Sequence, residues 1–278
     1  MKANLLLDAK ASLGEGPVYL SGSQELLWVD IHQGEVHCFQ INKKEDYIIY
    51  KGNKPSCIIP LKNNEFLIAD TNKLLKFDKA SQEYQLFLNL DFKDDNIRFN
   101  DGKMDPYGNI WIGTMDINVT PKQGALYRID NNKMCFKVLE GITISNGLAW
   151  SQDAKTMYYI DTYENVVFGF DFNSNCDISN QRIVIDIPKD KGAPDGMTID
   201  SQGNLWIALW GGNAVICCDP KTGELKDKIE VDAPHVTSCT LGGEMEDVLF
   251  ITTARDGLSS DDLIKYPLSG GLFFAKIK

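Results

Sequence analysis

Short apolar runs recur along the whole chain, broken by clusters of Gly, Asn, Asp, Ser and Pro, and a helical period is almost nowhere found. Two of the runs, Asn109-Ile110-Trp111-Ile112-Gly113-Thr114 and Asn204-Leu205-Trp206-Ile207-Ala208-Leu209, are near copies of each other. Each follows a four-residue segment, Asp105-Pro106-Tyr107-Gly108 or Asp200-Ser201-Gln202-Gly203, with Asp first and Gly last. Those are the residues a tight turn prefers at those places. Ser151-Gln152-Asp153-Ala154 stands in the same way before Met157-Tyr158-Tyr159-Ile160. A further run then follows in each unit, at 124–130, 166–171 and 214–219, with counterparts at 35–39 and 74–78. Runs of aromatic and branched residues bounded by turn formers predict strands, and so many of them predict an all-β chain.

The strands are phased. Six polar turns begin at Gly14, Pro55, Asn100, Ser145, Pro194 and Thr237. About ten to thirteen residues after each comes a large apolar residue inside a run: Trp28, Leu67, Trp111, Tyr158, Trp206 and Phe250. Successive members of that set lie 39 to 48 residues apart, the spacing of a four-stranded propeller blade. The expected fold is a six-bladed β-propeller, a single domain over 1–278. Residues 4–8 precede the first turn with no unit of their own, and 271–277 form a third strand without a fourth. Pairing of these terminal strands is therefore expected to close the ring, which protects sheet edges.

If each turn opens the innermost strand of its unit, all six turns converge on one axis. Glu15, Asn146 and Asp195, each directly before Gly, then surround one central hole. Carboxylate and amide oxygens suit a hard divalent cation. Taken singly, Asn-Gly and Asp-Gly are ordinary turn dipeptides; three in phase with the repeat point to a shared metal site. In Arg98-Phe99-Asn100-Asp101-Gly102, Arg98 and Asn100 alternate with Phe99, so an extended backbone aims both at one side. They suit a polyhydroxylated or acidic small molecule, the alternative being a surface arginine on an edge. His32 and His37 read as surface or core residues. His235 could reach the channel as an acid–base group or be a plain loop histidine. No serine-hydrolase elbow, zincin helix or phosphate loop is present.

The formal charge of −11 disfavours nucleic acid as a partner, since phosphate binding requires clustered Lys and Arg. The seven cysteines are odd in number and contain no CxxC. That argues against a disulfide framework or thiolate zinc site and for a reducing, cytoplasmic compartment. Residues 1–11 hold no long apolar core, and no run approaches transmembrane length.

Leu13-Gly14-Glu15-Gly16-Pro17, Arg98-Phe99-Asn100-Asp101-Gly102-Lys103, Gly113-Thr114-Met115, Gly124-Ala125-Leu126-Tyr127, Ser145-Asn146-Gly147-Leu148-Ala149-Trp150-Ser151, Pro194-Asp195-Gly196-Met197 and Thr237-Ser238-Cys239 together resemble the regucalcin, gluconolactonase and luciferin-regenerating-enzyme family, also called the senescence marker protein family. The resemblance runs over essentially the whole chain in one order. It implies a six-bladed propeller with one catalytic divalent metal in the central channel, calcium first, with magnesium, manganese or zinc as alternatives. The implied ligands are Glu15, Asn146 and Asp195, with Asp195 also the general base. Arg98 and Asn100 become substrate contacts. One departure stands out: where animal gluconolactonases of this family place a sugar-holding Glu shortly after Gly-Thr-Met, this chain has Asn118, which the resemblance makes a third substrate contact, shorter and uncharged. The expected activity is hydrolysis of a sugar lactone such as gluconolactone, a small-molecule substrate. The alternatives are a propeller esterase or phosphotriesterase-type hydrolase, a non-catalytic calcium-binding regulatory propeller, and a metal-free protein-interaction propeller.

Overall fold

The computed structural model describes residues 1–61 and 64–277. Strands dominate it, and the one α-helix among the described residues is the six-residue Ser260–Lys265. The fold is all-β and propeller-like. Four sheets have four antiparallel strands each: Gly14–Leu20 to Glu45–Lys51, Pro55–Pro60 to Glu83–Asn89, Ile97–Met104 to Cys135–Ile142, and Ser145–Trp150 to Ile178–Asp186. The remaining eight strands form one sheet. Its halves, Ala193–Ile199 to Leu225–Glu230 and His235–Gly242 to Leu272–Lys276, meet strand to strand at one residue pair, Trp210 with His235, and a bridge of Lys2 to Glu230 links them beside the terminal strand. The expected terminal pairing is present: Asn4–Leu7 runs antiparallel to Leu272–Lys276, with Asn4 opposite Phe274.

The first strands of the units contact one another in cyclic order, from Gly14–Leu20 through Pro55–Pro60, Ile97–Met104, Ser145–Trp150, Ala193–Ile199 and His235–Gly242 back to Gly14–Leu20. Apolar layers fill the wedges between units. Leu27, Val29, Ile58 and Ile68 share one layer, and Trp28, Phe39, Phe250 and Leu272 share another that joins the first unit to the last. The six phased residues read from the sequence are all buried.

The near-copied turns have a specific task. Asp105 Oδ2 accepts from Trp111 Nε1 and from Asn109 Nδ2, each at 2.9 Å, and Oδ1 accepts from the backbone N–H groups of Tyr107 and Asn109. Asp200 Oδ2 holds Trp206 Nε1 at 3.1 Å in the same way. The closing Gly108 and Gly203 have φ of 89° and 86°, a region other residues rarely enter. Asp105→Ala is expected to leave several donors unpaired around a fully buried tryptophan. The expected cost is about 3 kcal/mol, read as a lower urea midpoint with an unchanged slope.

Candidate functional site

Every first strand carries a register shift at its polar turn. The shifts fall at Glu15/Val18, Pro55/Cys57, Phe99/Gly102, Asn146/Leu148, Pro194/Met197 and Val236/Ser238. A bulge turns side chains out of the ordinary strand alternation and re-aims them. Here the bulges separate the two ends of the axis. Glu15, Arg98, Asn100, Asn146 and Asp195 line a cavity of about 500 Å³. Gly16, Asp101, Lys103 and Met197, from three of the same strands, line a second cavity of about 390 Å³ with Ser238 of His235–Gly242. The glycines after Glu15, Asn146 and Asp195 serve in two ways. Gly16 adopts a φ of +52°, whereas Gly147 and Gly196 make room for a neighbouring strand. A Cβ on Gly147 would lie 2.9 Å from Asp195 O, and one on Gly196 would collide with Ser238.

A hydrogen-bond chain fixes one side of the first cavity. Arg98 Nη1 donates to Phe99 O and to Asn100 Oδ1, both at 2.8 Å. Asn100 Nδ2 donates to Ser145 O and to Asn146 Oδ1, both at 2.9 Å. Asn146 Nδ2 donates to Thr162 Oγ1 at 2.7 Å, which keeps Asn146 Oδ1 on the Asn100 side. Backbone clamps support the chain from behind: Asp161, buried at the end of Thr156–Asp161, accepts from the N–H groups of Thr143 and Ile144. Asp30 does the same for Ser12 and Leu13, just before Glu15.

The electrostatics are unbalanced. Burial pushes Glu15 up to about 8, and the charge of Asp101 adds to the effect against the pull of the Gly16 N–H and of Arg98. Burial also raises Asp195 well above the usual carboxylate range, followed by the charges of Glu15 and Asp101. Arg98 is drawn down to about 10 by burial although both carboxylates oppose the shift. No ion pair within 4.0 Å ties Arg98 to either acid among the described residues. A buried and a half-buried carboxylate with no cation paired to either within 4.0 Å among the described residues, beside an oriented amide oxygen, are a donor set that suits a divalent ion. Among the described residues there is no cluster of three or more His, Cys, Asp or Glu; the set at this site is two acids and an amide.

The structure thus brings Glu15, Arg98, Asn100, Asn146 and Asp195 together. Asn118 is exposed, and the cavity is lined by its neighbours Ile117 and Val119 instead. Both amide protons of Asn100 are committed within the protein. Sequence reasoning missed His32, Thr162 and Asp256, which also line the cavity. His32 Nδ1 lies 3.5 Å from Asp256 Oδ1. The available signal was position alone: His32 follows Glu25–Asp30, at the same end of the unit as Glu15. His235 stacks on Trp210 with ring centroids 4.0 Å apart and meets Asp256 O at 2.8 Å. All seven cysteines are unpaired and six are buried. No helix among the described residues is long and apolar enough to cross a membrane.

Fold and site together define a propeller-like protein whose axial cavity has a floor of carboxylates, amides and one guanidinium. The chain belongs to the SMP-30/gluconolactonase/LRE-like family, whose profile matches residues 13–255. It is 35% identical over 289 residues to a Bacillus subtilis protein with the provisional name sugar lactone lactonase YvrE, covering 100% of this chain and 96% of that one. A luciferin-regenerating enzyme superposes with a TM-score of 0.88 at 33% identity, covering 96% of this chain and 91% of the other. Regucalcin of Agrobacterium tumefaciens, a calcium-binding protein, superposes with a TM-score of 0.92 at 27% identity, covering 99% and 92%.

Proposed function

We propose that this protein is a divalent-metal-dependent lactone hydrolase built as one six-bladed propeller domain. The eight-stranded sheet counts as two blades because its two four-stranded halves pair strand to strand at Trp210 with His235 alone. The observation that carries the function is the convergence of Glu15, Asn146, Asp195 and Arg98, from four separate units, on one cavity. The lactonase name of YvrE supports the reaction class.

Glu15, Asn146 and Asp195 would hold one ion, calcium by preference, as in the calcium-binding relative. When bound, such an ion supplies Lewis-acid polarisation of the lactone carbonyl and favours negative charge on its oxygen. Asp195 takes the proton from an attacking water at a carboxylate oxygen. The water oxygen bonds to the carbonyl carbon, the ring C–O bond breaks, and the departing alkoxide takes back the proton that Asp195 removed from water, leaving a hydroxy acid. Arg98 offers substrate oxygens the N–H groups that Phe99 and Asn100 do not occupy. Asn100 keeps Arg98 and Asn146 in place.

Equilibrium dialysis of chelator-treated protein against calcium tests the site. One ion per chain is expected, lost in Glu15→Gln. Binding of calcium with no turnover of any lactone would instead favour a non-catalytic calcium-binding protein. Retention of calcium by Glu15→Gln at wild-type affinity would remove Glu15 from the ligand set.

A further inference from the structure

The cavity that contains the charged floor has a second surface of opposite chemistry. Leu13, Ile31, Met115, Ile117, Val119 and Ile144 also line it. This wall is built into the fold. Met115 and Ile144 are joined by an isolated antiparallel bridge between two units. Ile117 and Val119 remain 43% and 41% exposed beside the cavity, which leaves apolar area there that a ligand group gains free energy by covering.

The turn that carries them is held in an uncommon conformation. Asp116 O accepts from the Val119 N–H at 2.8 Å, and Asp116 Oδ1 accepts from the Asn118 N–H at 2.7 Å. Val119 has a φ of +56°, a left-handed backbone that a β-branched residue rarely adopts. The turn leaves Ile117 and Val119 on the cavity and Asn118 off it.

Any hydroxyl of a fully hydroxylated sugar lactone that faces this aliphatic wall, away from His32, Thr162 and Asp256, would find no partner there. An alkyl or aryl group would cover the exposed branched side chains. We propose that the substrate is a lactone bearing an apolar substituent, with the ring carbonyl over the carboxylate floor and the substituent against Ile117 and Val119. The proposal rests on the lactonase activity proposed above and narrows its substrate class.

The test is kcat/KM of the calcium-loaded protein for δ-gluconolactone and for γ-lactones with no side chain, an ethyl group and a pentyl group. Each methylene is expected to raise kcat/KM about fourfold until the wall is covered, the equivalent of ~0.8 kcal/mol per buried CH₂. The pentyl lactone should exceed δ-gluconolactone. Val119→Asn and Ile117→Ser should flatten the dependence on chain length. Asn accepts a left-handed backbone, so the turn has no reason to unfold in the first of these variants. Turnover of δ-gluconolactone without any response to chain length would overturn the proposal and leave the lactonase activity standing. A steep chain-length dependence unaltered in both variants would also overturn it. Failure to open any lactone would remove the lactonase activity and this substrate class together.

Discussion

Asp195→Ala is expected to lower kcat/KM for a lactone by at least about a hundredfold at saturating calcium. General-base removal alone typically costs about 10²- to 10⁴-fold, and the variant also loses a proposed metal ligand. The fold should survive, because Asp195 is not a packing element: its carboxyl is forced into a protein-walled site beside Glu15 and Asp101. Stability supplies a second readout with a definite sign. Glu15 moves from an ordinary value near 4.5 to about 8 on folding, chiefly through burial and then through Asp101. A raised carboxylate stabilises the fold fully below its unfolded value and loses that contribution as pH rises through the folded one. Chelator-treated wild type should therefore become less stable between pH ~4.5 and ~8. Removing the Asp195 carboxylate should soften that decline, and calcium should oppose it in the wild type by binding the ionised form. Thermal unfolding at several pH values, with and without calcium, reads these effects. Wild-type turnover in metal-saturated Asp195→Ala would take Asp195 out of the mechanism.

Much of this site was legible because its signals are local. Turn chemistry such as Asp105-Pro106-Tyr107-Gly108, and the tryptophan that its Asp later binds, lie within a few residues of each other. Strand positions, the phased core residues and the terminal pairing followed from repeats of the same kind. Six four-stranded units were expected; four stand as separate sheets, and the other eight strands form one sheet through the Trp210–His235 pair. That link depends on how two neighbouring units approach each other, which no local pattern encodes. The register shifts were equally hidden. Alternation alone predicts that Arg98 and Asn100 share a side opposite Asp101 and Lys103, and the two pairs do line separate cavities; it does not predict the shift between Phe99 and Gly102, which leaves Phe99 in the core. Asn118 shows the same limit. Its place after Gly113-Thr114-Met115 suggested a substrate contact, but the Asp116 turn decides which residues of the segment line the cavity, and it selects Ile117 and Val119. His32 and Asp256 come together from opposite ends of the chain, a contact that requires the closed ring.

Arg98→Met should separate the roles of metal and substrate by moving them in opposite directions. In the wild type the guanidinium is buried, and it is favoured by the charges of Glu15 and Asp195. A fixed positive charge beside two proposed ligand carboxylates competes with a cation bound to them. Its removal should tighten calcium binding by at least about tenfold, since at an effective dielectric near 20 even two unit charges about 10 Å apart interact by on the order of 1–2 kcal/mol. Turnover should fall over the same change. Loss of a charge-assisted hydrogen bond to substrate costs about 1.5–3 kcal/mol, which is roughly ten- to a hundredfold in kcat/KM. Methionine fills much of the volume of the arginine stem and leaves Asn100 Oδ1 without its donor. Asn100 keeps its bonds to Ser145 and Asn146, so the amide of Asn146 should stay oriented. Calorimetric titration with calcium and a lactone assay on the same preparation would measure both effects. Weaker calcium binding together with weaker turnover would show that Arg98 organises the whole site through Asn100. Unchanged turnover would exclude Arg98 from contact with the substrate. Tighter calcium binding with a collapsed kcat/KM is the result expected if the guanidinium faces the lactone while Glu15, Asn146 and Asp195 face the ion.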